Sequence, residues 1–293
     1  MTRAAILPLV ALVAAGLALG GCASPAPPAA GVTQGAVLTF ATFARILDDT
    51  KGIAEGLNVD GRIHPMGDTL SCGMRDYTSP EGVPGIDNQF GGLLPVIEAQ
   101  VGTENLGQLL ATAIADGQLL ILLAIDDVTD VQNDPAVSVR LAAGLGAPLL
   151  DAQGNFIPYQ TFGIDHSTAP VSTLPAHISG GVLELGPGDA VLPVQVLDAK
   201  FNLALHGMKG QVLLAPDAAG GGVYMGGTLG GGVATADFQG IVQSLNIKAA
   251  AINAATTLVA LVADLAQDPT DGRCTQVSAG LKFQATPAFI AGD

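Results

Sequence analysis

The chain contains no tryptophan, and only 4% of its 293 residues are aromatic, so its core cannot be organised around large ring systems. Charge is scarce too: 13% of residues are charged, and 11 Lys and Arg face 26 Asp and Glu. A binder of nucleic acid or anionic headgroups needs clustered cations, which this composition does not supply; divalent cations are the favoured charged partner instead. Enzyme signatures are missing as well. There is no G-x-S-x-G, H-E-x-x-H, G-x-x-x-x-G-K or C-x-x-C, and the glycine runs lack the strand, G-x-G-x-x-G, helix and later acid order of a dinucleotide site. The four histidines, His64, His166, His177 and His206, are scattered and read as structural. A Ser, His, Asp set that meets only in space stays open.

What the chain has in quantity is glycine, 39 residues, within a composition that is 49% hydrophobic. Glycine-rich turns with Val and Leu, and few Lys or Glu, suit β structure better than a helical bundle. The expected fold class is α+β, mainly β: an antiparallel sheet or sandwich-like body with flanking helices, after a signal peptide and a tether.

The first 21 residues carry one charge, Arg3, followed by a short apolar run from Ala4 to Leu19. Such a run is a signal-peptide core, too short for a stable membrane span. Its end, Leu19-Gly20-Gly21-Cys22, resembles the lipobox of bacterial lipoproteins. That resemblance implies a thioether-linked diacylglycerol on Cys22, cleavage before it, and acylation of the new amino terminus. Two or three chains, at about 0.8 kcal/mol per buried methylene, hold a protein on a bilayer far more firmly than one. The plainer alternative is an ordinary secretory leader with an incidental cysteine. Ala23 follows Cys22, and the absence of Asp there implies the outer membrane in a Gram-negative cell. Removing residues 1–21 leaves a net charge near −16.

Residues 22–36 hold the lipidated cysteine and a Pro, Ala and Gly tether without charge, and 37–293 read as one β-rich body with helices near 95–116 and 236–267. Residues 37–63 are ambiguous between strands and a short helix, and a Gly, Pro and Asp loop follows to Gly92. Pro95 suits a first helical turn and Thr103 an N-cap. Strands are expected around the acidic turn Asp126, Asp127, Asp130 and Asp134, and in one clear run from Val194 to Leu205, where apolar residues alternate with polar ones. Gly207 breaks that frame, and a last strand runs from Gln276 to Ala285. Cys72 and Cys274, left over once Cys22 is lipidated in an exported chain, read as a disulfide; free thiols or a metal pair find no support nearby.

Asn58-Val59-Asp60-Gly61 and Gly85-Ile86-Asp87-Asn88-Gln89 combine oxygen donors with turn glycines, which is what a hard cation needs, so Asn58, Asp60, Asp87 and Asn88 are candidate Ca²⁺ ligands. The spacing is not that of an EF-hand, and Asp, Asn and Gly also form turns with no ion. The acidic turn at 126–134 is a second candidate. The same two segments, with looser agreement around 119–134 and 226–238, resemble a group of uncharacterised exported bacterial lipoproteins. This chain has Asn58 in place of the first acid of their tighter D-x-D-G form. The resemblance implies an exported, calcium-stabilised body and supplies no catalytic residue. The leading expectation is therefore a non-enzymatic, envelope-anchored binding or structural module. A carrier of a lipid or other apolar ligand is the alternative, to be told apart by whether Leu197, Phe201 and Leu205 pack or line a cavity; an envelope hydrolase is the third.

Overall fold

In a computed structural model, residues 31–101, 106–196, 199–218, 221–244 and 256–292 are described. The leader, Cys22 and Thr103 lie outside them. In chain order the elements are β1 (Val32–Phe43), β2 (Ile46–Asp48), β3 (Ile53–Ala54), β4 (Tyr77–Thr78), β5 (Pro84–Ile86), α1 (Phe90–Val101), α2 (Leu106–Ala115), β6 (Ile121–Val128), β7 (Asn133–Leu145), β8 (Gln160–Ile164) and β9 (Ser172–Ser179). There follow β10 (Val182–Val196), β11 (Ala199–Pro216), β12 (Val223–Ala234), α3 (Thr235–Ser244), β13 (Leu265–Gln267) and β14 (Cys274–Ala291).

The body is mainly β and antiparallel, as its composition indicates, but the sheet closes on itself. Strands pair in the ring β1-β6-β7-β9-β10-β11-β12-β14, and β14 returns to β1 with Ala36 opposite Pro287 and Phe43 opposite Leu281. The result is an eight-stranded up-and-down barrel rather than a sandwich. Closure leaves no unpaired strand edge in the ring.

Inward-facing residues meet across neighbouring strands: Leu123 opposite Leu141, Val139 opposite Leu174, Leu183 opposite Val212 and Leu192 opposite Leu203. All but Leu203 are buried at 3% exposure or less. Each such side chain contributes about 1.5–3 kcal/mol relative to exposure. The mouth is closed by α2, which touches both β1 and β10, strands that stand opposite each other in the ring. Leu110, Ala113 and Ile114 of α2 join the barrel core, and the space left inside, lined by residues such as Leu110, Leu192, Leu205 and Leu229, is about 40 Å³.

Strand β6 is buried on both faces. After Pro287 the end of β14 leaves β1, crosses its outer side and pairs in parallel with β8. Gly35 marks the crossing: a Cβ there would stand 2.5 Å from the Ala288 carbonyl oxygen. A second small core of Leu93, Phe238, Val259, Ala263 and Val277 covers the other end of β14, and Phe43, Phe90 and Phe238 link the two cores by ring contacts at 5.2 and 5.9 Å.

Several sequence expectations shift. The single strand foreseen from Val194 to Leu205 is the end of β10 and the start of β11, paired with Val194 opposite Phe201; the core-facing set passes from even positions on β10, such as Ala190 and Leu192, to odd positions on β11, such as Leu203 and Leu205. The frame break at Gly207 is real and sits in a bulge, with φ of 58°. Part of the foreseen tether, Val32–Ala36, is strand, paired with β6. Helix α1 starts before Pro95, which lies inside it. The helix foreseen to Gln267 does not reach that far, since Leu265 and Gln267 pair with Gln276 and Cys274.

The two ends of the barrel differ. One carries the start of β1 and the short β6–β7, β9–β10 and β11–β12 turns; the other carries the long segments 44–120, 146–171 and 235–273. The first of these holds a four-stranded sheet, β2-β3-β4-β5. It is fastened by the Cys72–Cys274 disulfide, whose Cα atoms are 5.9 Å apart, within the bridging range. The bridge spans 202 residues. We expect Cys72→Ser with Cys274→Ser to lower stability by about 2–5 kcal/mol in denaturant titration. An unchanged midpoint would show that noncovalent packing alone holds the insertion in place.

Candidate functional site

The sequence-predicted ligands come from the inserted segment. Asn58 and Asp60 lie on a turn, and Asp87 follows β5 and bridges to Leu57. The Asp87 carboxylate reaches back into that turn, where its Oδ2 accepts from Val59 N at 2.6 Å and Asp60 N at 3.3 Å. Asn58 Oδ1 accepts from Gly61 N at 2.6 Å, and its Nδ2 donates to the Arg62 carbonyl. Asp60 Oδ1 accepts from Arg62 N. Asn88 turns away: its Oδ1 accepts from Gly91 N and caps the start of α1, while Nδ2 donates to the Glu55 carbonyl.

A residue the sequence reading set aside stands at the centre. His64, 5% exposed, lies between Asp60 Oδ2 at 2.9 Å from Nε2 and Asp68 Oδ2 at 3.0 Å from Nδ1. Its backbone N donates to Asp76 Oδ2 at 2.6 Å. The signal for this was the spacing of Asp60, His64 and Asp68, four residues apart on each side. The Asp76 and Asp87 carboxyl groups are neighbours in this cluster, and each acts on the titration of the other. Behind them Asp264, 4% exposed, accepts from Ser278 N and Oγ, and Ser278 Oγ in turn accepts from Gln89 N.

Burial and then the neighbouring charges of Asp76 and Asp60 push the Asp87 carboxyl up to about 8. Burial pushes Asp264 up to about 7, against the Ser278 donors, and burial raises Asp76 as well. Burial works against the His64 cation, but the Asp68 and Asp60 carboxylates outweigh it and the net shift is upward. His64 in turn holds Asp68 below its ordinary value.

The oxygens expected to ligate Ca²⁺ are also engaged within the protein. The Asn58, Asp60 and Asp87 oxygens named above already accept internal hydrogens, and Asn88 faces a different neighbourhood. Among the described residues no group of three or more His, Cys, Asp or Glu side chains is placed to hold a metal. The acidic turn likewise satisfies itself: Asp126 pairs with Arg140, Asp130 accepts from Gln132 N, and Asp134 Oδ2 accepts from Thr129 N and Oγ1. The other histidines are partly exposed; His177 pairs with Glu184 at 3.4 Å and His206 with Asp189 at 3.5 Å.

A second candidate is an open cleft of about 560 Å³ at the end that carries the long segments. Leu119 and Leu120 form one wall with Gln118, the end of β7 from Ala143 to Gly146 another, and Pro193, Phe201 and Asn202 of the β10–β11 hairpin a third. The 165–168 turn closes the rim, held by Asp165 accepting from the Ser167 and Thr168 backbone and hydroxyls. Those donors pull Asp165 down to about 2, so it is a fixed carboxylate committed to its own turn. Asn202 Nδ2 donates to the Thr168 carbonyl at 2.9 Å and ties hairpin to rim. Amide, hydroxyl and backbone groups beside Leu120, Leu145 and Phe201 suit an uncharged ligand with an apolar face. Of the three residues set as discriminators, Leu205 packs in the core, Phe201 lines this cleft, and Leu197 lies outside the described residues.

No protein-family model, curated protein or solved structure matches the chain.

The cluster around His64 makes stability depend on pH with a definite sign. Asp87, Asp264, Asp76 and His64 all bind protons more tightly folded than unfolded. Their contribution is complete below the ordinary carboxylate range and is lost as pH rises through the folded values, about 7 for Asp264 and about 8 for Asp87. We expect the unfolding midpoint to fall between pH 5 and 8, and Asp87→Asn, which keeps an acceptor for Val59 N but cannot ionise, to flatten that fall. Millimolar Ca²⁺ should shift the midpoint no more than Mg²⁺ does; a Ca²⁺-specific rise lost in Asp87→Asn would restore the metal reading.

Proposed function

We propose that this chain is a bacterial envelope lipoprotein, anchored through diacylglycerol and N-acyl groups on Cys22, whose barrel is a non-enzymatic binding module. The observation that carries the binding part is the cleft at the rim opposite the start of β1. A tether entering at β1 joins the barrel at the end away from the cleft. The outer membrane is the surface in a Gram-negative cell.

The ligand class we favour is uncharged and partly apolar. An acidic body with 10 basic residues after the leader repels polyanions, while Leu120, Leu145 and Phe201 offer apolar contact beside amide groups. Carriage inside the barrel is the weaker reading, because about 40 Å³ of interior space has room for one or two waters and not for an acyl chain.

Two measurements test this. Cys22→Ser should move the body from the membrane fraction to the soluble fraction and abolish metabolic palmitate labelling; unchanged behaviour in both would defeat the anchor. Native mass spectrometry of the chain purified from its own membranes should show a bound neutral molecule, weakened at least tenfold, or about 1.4 kcal/mol, by Phe201→Arg. A ligand retained unchanged in that variant would place binding elsewhere.

A further inference from the structure

The barrel wall next to the tether strand exposes several large apolar side chains. Strands β11, β12, β14 and β1 are consecutive in the ring. Their outward residues line up in register: Leu213 opposite Gly226, Gly226 opposite Gln284, and Gln284 opposite Phe40, with Ala215 opposite Tyr224 in the next row. Leu213 is 61% exposed, Phe40 40% and Tyr224 39%. The patch continues onto the β8 segment. Tyr159 donates to Asp217 at the β11–β12 turn, its ring lies 6.1 Å from that of Phe289, and Phe289 is 57% exposed. Two residues before Tyr159, Ile157 hydrogen-bonds through its N to the Leu149 carbonyl, and Leu149 is 65% exposed. Asp217 is the acid at this wall, and the Tyr159 hydroxyl occupies it. Lys209 and Lys282, lower on the same strands, are drawn to the Asn58 carbonyl and to Glu55.

We infer that this wall rests on the lipid bilayer, so that the lipoprotein is oriented by a second, noncovalent membrane contact. The inference rests on lipidation of Cys22. Only eight residues, 23–30, separate that cysteine from Gly31, and a chain of that length reaches at most about 30 Å. The first strand beyond it is β1, one edge of the wall. A bilayer within that reach meets Tyr and Phe side chains, which favour the membrane–water interface.

The absence of tryptophan supplies the test. In the full lipidated chain reconstituted in phosphatidylcholine vesicles, Phe289→Trp and Leu213→Trp each introduce a sole tryptophan at an exposed position; Leu70→Trp, 53% exposed on the inserted segment, is the control. We expect blue-shifted emission and loss of intensity in brominated-lipid vesicles for positions 289 and 213, and neither for 70. Vesicle-bound protein with no bromine quenching at 289 and 213, or with equal quenching at all three positions, overturns the docking while leaving the anchor standing. A blue shift that persists in detergent with a dimeric sedimentation coefficient assigns the wall to a second copy of the chain and also overturns it. Failure of the chain to enter the vesicle fraction, or equal entry by Cys22→Ser, defeats the lipid-anchor reading first, and this proposal with it.

Discussion

Everything in this molecule depends on the pairing of β1 with β14, the first and last strands of the ring. Their contact joins residues some 245 positions apart and turns a meander into a closed barrel. Without it both strands would be edges, each offering a row of unsatisfied backbone groups to other chains. The same pairing fixes where the long segments emerge, because an up-and-down ring sends alternate connections to opposite ends. It also makes folding non-local: the ring cannot close until the last strand is made, so loop-closure entropy is met before the contacts that offset it.

The inserted segment uses a different kind of stabilisation. Between β1 and α1 it has little apolar material of its own: Ala54, Tyr77 and Ile86 form a small core beside Ile46. A disulfide and a knot of carboxyl groups around His64 supplement it. Burying several acids together is unfavourable if all are ionised, and here the cost is lowered by backbone donors and by one imidazole between two carboxylates. The consequence is that this region, rather than the barrel, sets how the fold responds to pH.

Sequence reasoning reached the mainly β class, the disulfide and the strands flanking the acidic turn, at the start of β11 and in β14, because those leave local traces: alternation, turn residues and two leftover cysteines. It did not reach closure, since nothing in a strand's own residues says whether the ends of a sheet meet. The Val194–Leu205 run shows the limit clearly, because the change of phase between β10 and β11 takes up so few residues that two paired strands read as one. At the acidic site, Asn58, Asp60 and Asp87 were found by composition, and the structure does bring them together. Their role was not legible, because the same oxygens serve a cation or a turn equally well, and only the donors around them decide. His64 was underweighted for a related reason: a four-residue spacing suggests pairing on a helix, and here the pairing is made by successive turns.

The barrel is therefore a closed body whose two ends differ. Its interior is filled and closed by α2, so what distinguishes one end from the other is what hangs on the strands. Short turns and the start of β1 sit at one end, while the cleft, the acidic knot and the disulfide sit at the other. A filled, edge-free ring transmits little motion between those ends, since close-packed side chains resist deformation. Changes at the cleft should thus stay local to the β10–β11 hairpin and the 165–168 rim, which a single amide, Asn202, holds together. On this architecture the strands of the ring fix positions, and the long segments at the far end carry the cleft and the acidic cluster.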